Sequence, residues 1–167
     1  MPFNFLALQF VGEVALGLLG FSAILIGLAR VDDGGFEPPD SFRVKLLLFT
    51  GAGALFGAIL PFVFAIPGHP EQIREPLLYL LFVYICLGPL YFIPQVRGLR
   101  AAGHTQIFSL PILAFNVTIF SSNVITSAIM VFYADEMRAQ LYLSCLTLLL
   151  IQCMAAFIRT LFYRVQR

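Results

Sequence analysis

Charge is what this chain has least of. Asp, Glu, Lys and Arg make up 11% of its 167 residues, against 60% hydrophobic, and the mean hydropathy is +0.92. So little charge excludes an ordinary water-soluble domain and any basic surface for nucleic acid. Cysteine stops at three residues and histidine at two. Cys86, Cys145 and Cys153 fall inside apolar runs at spacings that suit no metal, and they read as small packing residues. His69 and His104 fall on opposite sides of the topology derived below, which excludes a shared histidine site. No Gly-rich phosphate loop, cofactor motif or nucleophile–His–acid set at a common depth is present. These absences argue against an enzyme and against a metal or cofactor.

What the chain does have is long apolar runs. Five of them predict membrane-spanning helices over about 3–29, 42–66, 76–94, 107–133 and 139–161. A helix needs ~20 apolar residues to cross the hydrocarbon, and the third run sits at the lower limit. Charge parity retains it. Eight of the ten basic residues (Arg30, Arg43, Lys45, Arg97, Arg100, Arg159, Arg164, Arg167) then fall on one side, leaving Arg74 and Arg138 on the other. This positive-inside pattern predicts an all-α bundle of five spans, N-terminus outside and C-terminus cytoplasmic, forming a single domain over 1–167. No Lys or Arg precedes Arg30. The first run therefore lacks the basic start of a signal peptide, despite the cleavage-like Gly27-Leu28-Ala29, and is expected to be a retained helix.

The connecting segments are short. The most polar, 31–40, carries Asp32, Asp33, Glu37 and Asp40, but their spacing does not match a Ca²⁺ loop and they read as a solvated turn. Asp40 or Ser41 is expected to cap the second helix. Pro67 and Gly68 end it, and Pro76 suits the first turn of the third. Pro89 is expected near the end of the third helix and Pro94 just beyond it. Pro111 either bends the fourth helix or marks its start.

One ionisable residue lies well inside a span. Glu13, Gly17, Gly20, Ile24 and Gly27 follow steps of four and three, which places them on one helix face. A carboxyl among glycines is expected to point into the bundle, where burial disfavours its charged form. At ~1.5 Å per residue, Gly57, Tyr84 and Asn123 reach depths similar to Glu13. Asn123 shares a face with Asn116 and approximately with Thr126 and Ser127, and Gln152 lies nearer Asn116. A polar seam from Glu13 through Asn123 and Asn116 towards Gln152 is therefore the expected intramembrane site. Read functionally, it is a protonatable or ion-coordinating site in a permeation path; read structurally, it is an interhelical hydrogen-bond network. Gly53 and Gly57 form a GxxxG pair for close helix approach, and Gly17, Gly20 and Gly27 are expected to form a close-packing face on the first helix. Pro61 predicts a kink or hinge beside Gly57. Asn116-Val117-Thr118 matches a glycosylation sequon but lies within a span.

The order Glu13, Gly20-Phe21-Ser22, Arg30, Asp40-Ser41-Phe42-Arg43 and Leu60-Pro61 resembles a loose group of small multi-pass bacterial membrane proteins. In that group an acidic residue and a Gly-Phe pair mark the first helix, an Asp-x-x-Arg start opens the second, and a Leu-Pro pair ends it. The resemblance covers approximately residues 1–66 and implies a bacterial inner (plasma) membrane without implying an activity. It also brings Asp40 and Arg43 to an i,i+3 spacing. Two roles follow from the residues as expectations. One is a small transporter or channel-like protein using Glu13. The other is a non-catalytic scaffold whose glycine faces dock a second copy or another membrane protein. The lipid bilayer is the one partner common to both; the substrate, a small molecule or ion, is left open.

Overall fold

The computed structural model describes residues 4–32, 38–64, 75–103, 110–133 and 136–165. Among them are five helices: α1 (Phe5–Asp32), α2 (Pro38–Val63), α3 (Glu75–Ala101), α4 (Leu110–Phe132) and α5 (Arg138–Val165). All five are long and apolar enough to cross a membrane. Even α4, the shortest at 23 residues, rises about 35 Å against roughly 30 Å of hydrocarbon. The side chains of Arg30, Asp32, Asp40 and Arg164, and the whole of Asp33, Glu37, Pro67, Gly68, His69, Arg74, His104 and Arg167, lie outside the described residues.

Local chemistry sets the helix ends. Asn4 Oδ1 accepts the Ala7 N–H at 3.1 Å, an N-cap for α1. The second helix starts at Pro38, earlier than the expected cap at Asp40 or Ser41. Pro38 and Pro39 occupy its first turn, where a missing N–H leaves no helical bond unmade. Pro76 takes the same place in α3, behind Glu75, and Pro111 falls in the first turn of α4, marking its start. The third helix runs past its expected end, with Pro89 and Pro94 both inside it. A proline removes one N–H and perturbs one turn, and Val96 and Leu99 pack against the core to hold the turns beyond. Gly103, at φ +90°, then ends the run, its N–H bonded to the Arg100 carbonyl at 3.1 Å.

Helices α2 and α5 form the centre. Helix α1 lies against both, α3 flanks α2, α4 flanks α5, and α3 meets α4 to close that side. One core gathers Leu8, Ala15, Ala54, Ala58, Leu146 and Leu149 among others, and a second gathers Phe42, Leu46, Leu47, Phe92, Cys153 and Ala156. Glycine permits the closest approaches. A Cβ on Gly57 would strike Leu146 of α5, and one on Gly53 would strike the Tyr84 ring of α3. That ring stacks on Phe49 at 4.5 Å, and its hydroxyl donates to the Phe49 carbonyl at 2.6 Å.

Pro61 accounts for a second tie. Lacking an N–H, it leaves the Gly57 carbonyl without a helical donor. The hydroxyl of Tyr142, on α5, donates to that carbonyl at 2.7 Å, and Tyr142 is 1% exposed. A hinge at Pro61 would have to break this bond.

Candidate functional site

The expected seam is shorter than the sequence implies. Gln152, fully buried on α5, donates to Asn116 Oδ1 at 3.3 Å, and Asn116 donates to the Ile112 carbonyl at 2.8 Å. Asn123, also fully buried, donates to the Cys145 carbonyl of α5 at 3.4 Å. These contacts join α4 to α5. Thr126 is half-buried on the same helix. Tyr84 turns instead towards α2 through its bond to Phe49.

Glu13 stands elsewhere. It is exposed, on the outside of the bundle, and accepts a hydrogen bond from Gln9 at 2.8 Å. Gly17, Gly20 and Gly27 meet no atom within 4 Å of a Cβ built on them, and Ile24 is 61% exposed. The whole Glu13–Gly27 face thus points outward, not into the bundle. The cause is the peripheral position of α1, whose opposite face (Leu8, Gly12, Ala15, Leu19, Ser22) packs on α2 and α5 or is buried.

A further feature lies between α3 and α4. A cleft of about 890 Å³ opens there, within the usual range for a ligand pocket. Gly88 brings the helices together by accepting Phe120, whose Cε1 lies 2.8 Å from a built Cβ. Around that contact the walls are almost wholly apolar: Pro89, Leu90, Ile93 and Val96 from α3; Leu113, Val117, Val124 and Ile125 from α4. Leu90, Ile93, Val117 and Ile125 are between 49% and 71% exposed, so the mouth is on the outer surface of the bundle. Cys86 to Arg100 along α3 is about 14 residues, or roughly 20 Å of helix.

One end of this cleft is cationic. Arg97 and Arg100 line it from α3 and Arg159 from α5. Next to it is a smaller cavity of about 190 Å³, walled by Arg43, Arg159, Pro111, Phe115 and Asn116 among others. Phe42, Leu46, Asn116 and Arg159 line both spaces, which are therefore neighbours across a shared wall. Arg43 is 7% exposed, so its guanidinium is held inside the protein. No Asp or Glu is among the described residues lining either space. Three arginines thus line the apolar trench and Arg43 joins Arg159 in the neighbouring cavity, with Asn116 in the shared wall.

Sequence reasoning assigned these arginines to topology and did not gather them. Arg43 begins one helix, Arg97 and Arg100 end another, and Arg159 is near the end of a third; the shared end was readable from span parity, the cavity was not. Asn116 was singled out, but for a seam with Glu13.

Comparison with protein-family models, curated proteins and solved structures returns no match to this chain.

Proposed function

We propose that this chain is a multi-pass protein of the bacterial inner membrane that binds a bilayer-dissolved amphiphile in the α3–α4 cleft, the binding step of a small transporter of lipid-like substrates. In this reading the arginine-lined end faces the cytoplasm, as the positive-inside pattern requires. The observation that carries it is the cleft itself: apolar walls, a mouth on the outer surface of the bundle and a charged end. Its length, roughly 20 Å by helical rise, exceeds the roughly 15 Å of one leaflet's hydrocarbon. A single acyl chain lies along it with its polar end among the arginines. Glu13 borders neither cavity, so the transport reading moves from the acidic residue to the cleft. No catalytic step is included.

The chain contains no tryptophan, so one introduced tryptophan reports alone. Val117→Trp places it in the cleft, and Leu16→Trp on the exposed face of α1 serves as reference. In bilayers doped with lipid brominated on its chains, Val117→Trp quenching is expected to saturate at low mole fraction, while Leu16→Trp follows bulk lipid. Identical curves at the two positions would remove the cleft as a site.

A second reading, a scaffold, is favoured by the outward face of α1. Gly17, Gly20 and Gly27 leave a flat strip with nothing in front, beside the Gln9–Glu13 hydrogen bond. Small residues of this kind suit docking of another helix. Gly20→Leu would weaken association with a second copy or another membrane protein without unfolding the monomer; co-purification and crosslinking read the difference.

A further inference from the structure

We propose that the outward face of α1 is a homodimer contact. Two copies, related by a twofold axis along the membrane normal, cross at Gly17 and Gly20 and exchange hydrogen bonds between Gln9 of one and Glu13 of the other. This rests on that face being a docking face, the second reading above, and commits it to one partner. It is independent of the α3–α4 cleft, which α1 does not line.

The starting observation is where Glu13 sits. It is exposed, within the apolar stretch Phe5–Ile24, about 12 Å along the helix from Phe5. With the helix across a membrane, that depth is hydrocarbon, where a carboxyl on the lipid side is costly and ionisable groups face protein or pair with one another. The surface around it is built to be covered. Gln9, Glu13, Gly17, Gly20, Ile24 and Gly27 are all exposed and follow steps of four and three, one line along the helix. Phe10 and Leu16 lie about 60° to either side, on the rims, where they keep contact with lipid. In front of Gly17 and Gly20 no described atom lies within 4 Å of a built Cβ, so another helix backbone can come close there.

The polar pair identifies the partner. Gln9 Nε2 donates to Glu13 Oε1 at 2.8 Å. That bond takes one of the two carboxamide N–H groups and one of the two carboxyl oxygens. The second N–H and the second oxygen remain, one helical turn apart. A twofold axis along the membrane normal gives every residue the depth of its counterpart, so a second copy offers the same pair, reversed, at the same level. Equivalent bonds then form in both directions, and both carboxyls leave the lipid. A different membrane protein would need a polar group placed at matching depth; the second copy has one by identity.

The test reconstitutes donor- and acceptor-labelled full chain in phosphatidylcholine vesicles and follows energy transfer as protein is diluted with lipid. Transfer is expected to exceed that of randomly placed monomers and to fall on dilution. Glu13→Leu, which removes both reciprocal bonds, is expected to raise the half-maximal protein mole fraction roughly tenfold or more, and Gly20→Leu to do the same by filling the crossing point. Glu13→Gln keeps a donor and an acceptor in the same place and is expected to stay within about threefold of the unsubstituted chain, which separates lost hydrogen bonds from lost folding. A photocrosslinking residue at Ile24 is expected to capture a second copy, and one at Leu80, also outward but on α3, to capture none. Transfer no greater than random mixing would overturn the homodimer while leaving the docking face to another membrane protein, which the co-purification test reads. Self-association that survives both Glu13→Leu and Gly20→Leu, or that crosslinks from Leu80 and not from Ile24, would put the contact on another face and overturn the inference.

Discussion

Removing the Tyr142 hydroxyl is expected to destabilise the bundle, and the size of the loss should depend on Pro61. The Tyr142 hydroxyl donates to the Gly57 carbonyl at 2.7 Å, the acceptor that Pro61 leaves without a helical N–H. With Tyr142→Phe that carbonyl is orphaned in a fully buried place. Interhelical hydrogen bonds in membranes are worth about 0.6–2 kcal/mol, and leaving one partner unsatisfied costs about 1–3 kcal/mol. A loss of roughly 1–2 kcal/mol is therefore expected for Tyr142→Phe. Pro61→Ala restores an N–H that can bond Gly57 within α2. In that background Tyr142→Phe leaves no orphan, and its effect should fall to about 0.5 kcal/mol or less. Equilibrium unfolding of the four proteins in mixed micelles or bicelles reads the coupling, about 1 kcal/mol. Strictly additive losses would refute the reasoning, because the hydroxyl would then be stabilising something other than the carbonyl freed by the proline.

Three further outcomes follow from packing and burial. Gly53→Ala should destabilise by about 1–3 kcal/mol, since its Cβ would displace the Tyr84 ring from Phe49; Gly20→Ala, with open space in front, should be neutral or slightly stabilising, and thermal unfolding separates the two. Asn116→Leu strands the buried Gln152 amide and should cost about 1–3 kcal/mol, while Gln152→Leu, which removes that amide together with its need for a partner, should cost less by the same assay. Glu13→Gln should change monomer stability by no more than about 0.5 kcal/mol, and it should leave any substrate flux in liposomes intact; loss of proton-coupled flux would return Glu13 to the mechanism.

The helices were readable because membrane-crossing length, arginine placement and helix-end residues all point the same way. Pro76 and Pro111 occupy first turns. Pro94 misled about the end of α3, because what lies beyond a proline is decided by tertiary packing, here of Val96 and Leu99. The orientation of α1 was not readable at all. Its outward face (Glu13, Gly17, Gly20, Ile24, Gly27) and its inward face (Leu8, Gly12, Ala15, Leu19, Ser22) both advance by fours and threes and both carry small residues. Periodicity identifies which residues share a face, and only the neighbours decide which face is covered. The Asn116–Gln152 contact was approachable from depth alone. The cleft was not, because it depends on the separation of α3 and α4 on either side of the Gly88–Phe120 contact, a distance no linear pattern encodes.

The most direct measurement is photocrosslinking with a phosphatidylglycerol bearing a diazirine on its acyl chain, in bilayers of phosphatidylcholine, with adducts mapped by peptide mass spectrometry. Adducts are expected to concentrate on Leu90–Val96 of α3 and Leu113–Val124 of α4 and to be competed by unlabelled phosphatidylglycerol. An even spread over every outward-facing apolar residue, with Leu6, Phe10 and Leu16 of α1 labelled in proportion to their exposure and no competition, would contradict the account.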